Sequence, residues 1–139
     1  MRSIVALDVG ERRIGVAVSD PSGTFSLPYG RLERTNLRSD IEAIITIARE
    51  RDARTIVVGD PRTLAGRRGP ASEKIDAFVE RLARAFDGSV ERVDERFTTA
   101  AVTKRLIAAD VSRAKRKKVV DQLAAAAILD TYLARRRDG

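Results

Sequence analysis

The chain has 139 residues, with 27 Lys and Arg against 20 Asp and Glu, a formal charge of +7 and a pI near 10.5. It contains neither histidine nor cysteine, which excludes imidazole bases, Ser-His and Cys-His catalytic pairs, disulfides, and zinc sites built from those residues. Carboxylates, lysines, hydroxyls and hard cations carry whatever chemistry remains, and the basic excess suits a polyanionic partner such as nucleic acid.

Residues 3–9 form an apolar run, Ser-Ile-Val-Ala-Leu-Asp-Val, that carries Asp8 near its end and is followed by Gly10. They are expected to pair, as an antiparallel strand, with residues 13–19 through a short turn at Gly10-Glu11-Arg12. Asp20-Pro21-Ser22-Gly23 reads as a turn. Residues 24–34 read as a third strand, in which Pro28 and Gly30 point to a bulge or an edge position. Leu37, Ile41, Ile44, Ile45 and Ala48 recur at helical spacing, predicting an amphipathic helix over 37–51. Residues 54–59 are a short apolar strand of the kind found buried in parallel sheets. Residues 60–69 read as a loop with Arg62, Arg67 and Arg68, and Pro70 suits a helix start. Ile75, Phe78, Val79, Leu82 and Phe86 give a second amphipathic helix. A strand over 89–94 then delivers Glu95, and Thr98 is a plausible N-cap for a helix to about residue 109. Residues 110–118 are strongly basic, and a last helix is expected over about 119–136.

This order, three antiparallel strands and then alternating helix and strand, predicts an α/β fold in a single domain over residues 1–139. Its mixed five-stranded sheet combines an antiparallel meander with parallel strands and is flanked by helices. With 43% hydrophobic but only 4% aromatic residues, the core is expected to be aliphatic. No segment approaches the roughly 20 apolar residues of a membrane span, and the N-terminus does not read as a signal peptide; a cytoplasmic location is expected.

Asp8 and Glu95 both fall at or just beyond strand C-terminal ends. If their strands are parallel neighbours in one sheet, those ends share a rim. Asp121 has Ala124, Ala125 and Ile128 at i+3, i+4 and i+7, so it belongs to the apolar face of the last helix, where an unpaired carboxylate is costly. Each acid taken singly has a plainer reading: Asp8 as a turn residue, Glu95 as part of a surface ion-pair cluster with Asp94 and Arg96, Asp121 as a cap or a partner of Arg113. Taken together, Asp8, Glu95 and Asp121 suit a catalytic site that holds Mg²⁺ or Mn²⁺. A pair of such ions roughly 4 Å apart can activate water and stabilise a leaving oxygen. Arg62, Arg67, Arg68, Arg96, Arg113, Lys115, Arg116, Lys117 and Lys118 are the candidate nucleic-acid contacts.

The segments Ala6-Leu7-Asp8-Val9-Gly10 with Arg13 to Asp20, Ile56 to Pro61, Asp94 to Thr99, and Lys118 to Ala125 through Ile128-Leu129 resemble the YqgF/RuvX family. These are small RNase H-like proteins described as pre-16S rRNA nucleases or Holliday junction resolvase-like enzymes. The resemblance covers nearly the whole chain. It implies an RNase H-like fold, a metal site at Asp8, Glu95 and Asp121, and hydrolysis of structured nucleic acid, with processing of the 5′ end of precursor 16S rRNA ahead of cleavage of branched DNA. A resolvase would call for a homodimer, since it must cut two strands symmetrically. Three residues depart from the family pattern: Asp60 stands where an apolar residue is usual, Ala101 where a glutamate is common, and Gln122 where a small polar residue is usual. Two competing readings are a lobe of an actin-like ATPase, which would need a second such lobe, and a nucleic-acid-binding protein with a vestigial site.

Overall fold

A computed structural model describes residues 3–60, 70–94 and 113–138, of which 70–72, 113–122 and 137–138 are described as backbone alone. Five strands form one sheet: β1 (Ile4–Val9), β2 (Arg13–Ser19), β3 (Ser26–Glu33), β4 (Thr55–Asp60) and β5 (Ser89–Asp94). Their spatial order is β3-β2-β1-β4-β5. β1, β2 and β3 pair antiparallel as a meander, and β1, β4 and β5 run parallel. The expected mixed sheet is therefore the observed one.

Alternation along the central strands decides what each face buries. Val5 and Leu7 of β1, Ile56 and Val58 of β4, and Ile14, Val16 and Val18 of β2 face helices α1 (Leu37–Glu50) and α2 (Pro70–Ala85). There they meet Ile41, Ile44, Ala48, Ile75, Phe78 and Leu82. Ile4, Ala6, Ala17, Val57 and Val93 face the other way, onto helix α3 (Arg113–Asp138). That second core is lined by small residues on both sides, with Ala124 to Ala127 against Ala6 and Ala17. The small side chains bring helix and sheet close. β1 and β4 are covered on both faces, which explains their near-continuous apolar sequences.

The connections have local causes. Asn36 caps α1 by accepting a hydrogen bond from the Ser39 amide at 2.9 Å. The amide of Ser89 donates to the Arg54 carbonyl at 2.9 Å and locks the start of β5 beside β4. Gly88 precedes that bond, and a Cβ there would lie 2.1 Å from the Arg54 carbonyl oxygen. Only glycine fits this approach. The expected helix near residues 98–109 lies outside the described residues.

Two expectations are corrected. Asp60 is the last residue of β4 and is buried, not part of a loop. The last helix starts at Arg113, six residues earlier than expected, so the basic run is helical backbone. Arg and Lys are good helix formers, so the helix extends back through the basic run. Among the described residues, no helix is long and apolar enough to cross a membrane.

Candidate active site

The parallel arrangement of β1, β4 and β5 puts their C-terminal ends on one rim. Asp8 stands there, 9% exposed. It follows Leu7, which faces α1 and α2, so its carboxylate shares the α3 face with Ala6. Its neighbours on that face lack side chains. Gly15 of β2 is directly opposite Asp8. On the other side, Leu7 is level with Val58, so the next step of the register sets Asp8 beside Gly59. On the α3 face the sheet thus presents Asp8 at the rim with a glycine on each flanking strand.

The turn after Asp8 is fixed from the opposite face. The Gly10 amide donates to the Arg13 carbonyl at 2.8 Å. Arg34 donates from Nη1 to the Gly10 carbonyl at 2.8 Å. The same guanidinium lies 3.2 Å from the buried Asp40 carboxylate through Nε and stacks 5.6 Å above the Phe78 ring. Arg34 therefore ties the turn to α1 and α2. Sequence reading had no signal for this, since Arg34 ends a polar-looking stretch and its partners are distant in the chain.

Asp60 does not join Asp8. Its Cα partner is Asp94, and both follow the side of the sheet that faces α2, as Val58 and Arg92 do. Asp60 Oδ2 lies 3.3 Å from Arg92 Nη2, and Arg92 Nη1 donates to Asp76 of α2 at 2.6 Å. Whether Asp60 serves the metal site or a solvated loop has a third answer: it belongs to an ion-pair cluster under α2, back to back with the Asp8 face.

Helix α3 runs across the sheet in a direction that its hydrogen bonds define. Ser26 donates to Asp130 at 2.5 Å, and Tyr132 donates to Glu91 of β5. Ser26 pairs with Ser19, whose hydroxyl accepts from the Ile4 amide at 2.8 Å. The C-terminal half of α3 therefore lies at the end of the sheet remote from Asp8. Burial against the sheet and the bond to Glu91 push the Tyr132 hydroxyl up to about 12.

Of the expected site residues, Asp8 stands at the rim, and Asp121 lies in the N-terminal half of α3. Arg113, Lys115, Arg116, Lys117 and Lys118 occupy the first turns of α3. Glu95 and Arg96, just past β5, and Arg62, Arg67 and Arg68 lie outside the described residues. Among the described residues, no three acidic side chains gather as a metal-binding group. The donor type at the rim is carboxylate oxygen in a chain without His or Cys. That chemistry suits a hard divalent cation such as Mg²⁺ or Mn²⁺.

Residues 2–135 match the model of the RuvX family, described as Holliday junction resolvase. A Clostridium perfringens protein named "Putative pre-16S rRNA nuclease" is 43% identical over 132 residues, which are 95% of this chain and 96% of that one. A Desulforudis audaxviator protein of the same name is 42% identical over 136 residues, 98% and 96% of the two chains. Among solved structures, Thermus thermophilus RuvC in complex with a Holliday junction superposes with a TM-score of 0.60 at 12% identity, over 98% of this chain and 96% of that chain. The fowlpox virus resolvase bound to Holliday junction DNA gives 0.52 at 10% identity, over 95% and 97%. At such low identities, these two establish a shared RNase H-like fold.

Proposed function

The chain belongs to the RuvX family, a family of nucleases that hydrolyse phosphodiester bonds, and from that premise we propose that it processes the 5′ end of precursor 16S rRNA with the help of a divalent metal. The relatives' shared name motivates the substrate. The observation that carries the site is Asp8, a rim carboxylate between two glycines on the face covered by α3.

Asp8, Glu95 and Asp121 are the residues assigned to hold the metal. Glu95 follows Asp94, the last residue of β5, by one position in the sequence. Asp121 precedes Asp130 by nine residues, roughly 13 Å of helix. Asp8 lies four residues beyond Ile4, roughly 13 Å of strand. Ile4 and Asp130 are near the same end of the sheet, so helix rise and strand rise carry Asp121 towards the level of Asp8. A bound divalent ion supplies activation of the attacking water and stabilisation of the leaving oxygen. The protein's part is to hold three carboxylates in place and to bind the phosphate backbone through its basic segments.

The test compares wild type with Asp8→Asn on precursor 16S rRNA and on four-way DNA junctions, with Mg²⁺ and with Mn²⁺. The expected result is loss of cleavage with binding retained. Cleavage by Asp8→Asn at the wild-type rate removes the assigned site. The family description favours branched DNA as the second substrate. Preference for the junction, cut by a two-fold dimer, establishes that alternative.

A further inference from the structure

Strand register draws a row across the rim of the sheet. Asp8 of β1 is opposite Gly15 of β2, and Gly15 is opposite Arg31 of β3. Cross-strand partners share a face. Asp8 and Arg31 therefore face the α3 side together, two strand spacings or roughly 10 Å apart at Cα. The residue between them contributes no side chain.

Arg31 reaches that face because of a bulge. Val18 pairs with Leu27 and Ala17 with Pro28, but Val16 pairs with Gly30, so Tyr29 is an extra residue. Before the bulge, Ser26 faces α3 and bonds to Asp130. Strict alternation from Ser26 would give the α3 side to Gly30 and Leu32 and turn Arg31 towards the other core. The bulge reverses this, and Leu32 packs in the core under α1 and α2. Bulges beside active sites commonly re-aim a side chain in this way.

The re-aimed arginine is also held. Glu33 Oε1 lies 3.5 Å from Arg31 Nε and 3.4 Å from Arg13 Nε, all on the same face. Arg31 is 27% exposed. A guanidinium on a half-covered stem is pre-organised and loses less freedom on meeting a phosphate than a free surface lysine would.

We propose that Arg31 is a substrate-binding residue that takes a backbone phosphate of the nucleic-acid strand approaching Asp8 along the rim, with Arg13 beside it; both guanidinium side chains keep partial exposure there, at 27% and 24%. This rests on the nuclease reading above and adds a contact from β3 to those of the basic segments. An arginine suits this position because its planar fork can grip two phosphate oxygens at once.

The test measures binding of a labelled 5′-flanking stem of precursor 16S rRNA in an Asp8→Asn background, and cleavage in the wild-type background. Arg31→Gln is expected to raise Kd about tenfold at low salt. It should lower the slope of log K against log salt by about 0.7–0.9, one phosphate contact. In cleavage it should raise KM with kcat within about twofold. Arg31→Lys is expected to restore the salt slope while regaining only part of the affinity. Unchanged Kd, slope and KM in Arg31→Gln overturn the proposal. So does a melting temperature lowered equally in both variants with no recovery of the slope in Arg31→Lys, which marks a purely structural arginine. Failure of the nuclease reading shows elsewhere, as full cleavage by Asp8→Asn alone.

Discussion

Arg34 holds Gly10: its Nη1 donates to the Gly10 carbonyl at 2.8 Å, two residues past Asp8. The contact joins the end of the meander to the turn that positions the rim carboxylate. Asp40 accepts from the same guanidinium and from the Thr35 amide, and it is buried in the first turn of α1. Arg34→Met keeps the stem over Phe78 but leaves the Asp40 charge without its cation. A loss of about 2–4 kcal/mol is expected, since removing one partner strands a buried charge. The turn should also loosen, so cleavage should need more Mg²⁺ for half-maximal rate. Urea unfolding and a Mg²⁺ titration measure both; an unchanged unfolding midpoint contradicts the role assigned to Arg34.

Asp60 and Arg92 form the second linkage, on the α2 side of the sheet. Asp60 is 3% exposed. Arg92 Nη2 lies near it without hydrogen-bond alignment, and Arg92 Nε has no hydrogen-bond acceptor among the described residues. A buried pair with imperfect geometry contributes little net stability, yet losing one member is costly. Asp60→Asn should therefore destabilise by about 1–3 kcal/mol. The double replacement Asp60→Leu with Arg92→Leu should be near neutral or stabilising, in keeping with the apolar residue usual at that position in the family pattern. Neither change should alter the metal dependence of cleavage. A shift in metal requirement with Asp60→Asn would return Asp60 to the catalytic site.

The sheet was legible in the sequence because its signals are short-range. The apolar run to Asp8, the hairpin spacing to Ile14 and the pair Pro28 and Gly30 each depend on a few adjacent residues. The structure returns the strands, the edge position of β3 and its bulge. What was not legible depends on parity across strands. Asp60 and Asp8 both end strands at one rim, but they point to opposite faces because one is level with the other's glycine neighbour plus one residue. Nothing local to Asp60 announces Arg92, which is 32 positions away in the chain. Likewise, the face taken by Arg31 follows from one inserted residue whose effect is visible only in the register. Ala124, Ala125 and Ile128 are buried against the sheet, while the side chain of Asp121, which their spacing places on the same face, lies outside those described.

Asp20 gives a pH signature outside the site. Its carboxylate accepts from the Phe25 amide, the Ser22 hydroxyl and the Thr24 amide, closing the turn between β2 and β3. The Phe25 bond leads in holding its pKa down at about 2, against an ordinary value of 3.8. A carboxylate depressed on folding stabilises the fold fully above its unfolded value, and that stability is lost as pH falls through the folded one. Wild type should thus lose melting temperature between about pH 4 and pH 2 more steeply than Asp20→Asn does. Parallel melting profiles over that window would show that the turn contributes no acid-linked stability.

The first turns of α3 predict opposite effects on stability and on binding. Arg113, Lys115 and Arg116 enter the helix at its N-terminus, and the first turn contains no acidic residue. Cations at that end oppose the helix dipole, at about 0.3–1 kcal/mol each in low salt. Their placement there costs stability that a bound polyanion would return. Replacing Arg113, Lys115 and Arg116 by Gln should raise the melting temperature of the free protein at low ionic strength. The same change should weaken binding of precursor rRNA and flatten its salt dependence by about two to three units of slope. Adding the RNA should stabilise wild type more than the variant, since ligand binding to the folded state alone raises apparent stability. A variant less stable than wild type, with an unchanged salt slope, would instead make these residues part of the fold's own packing.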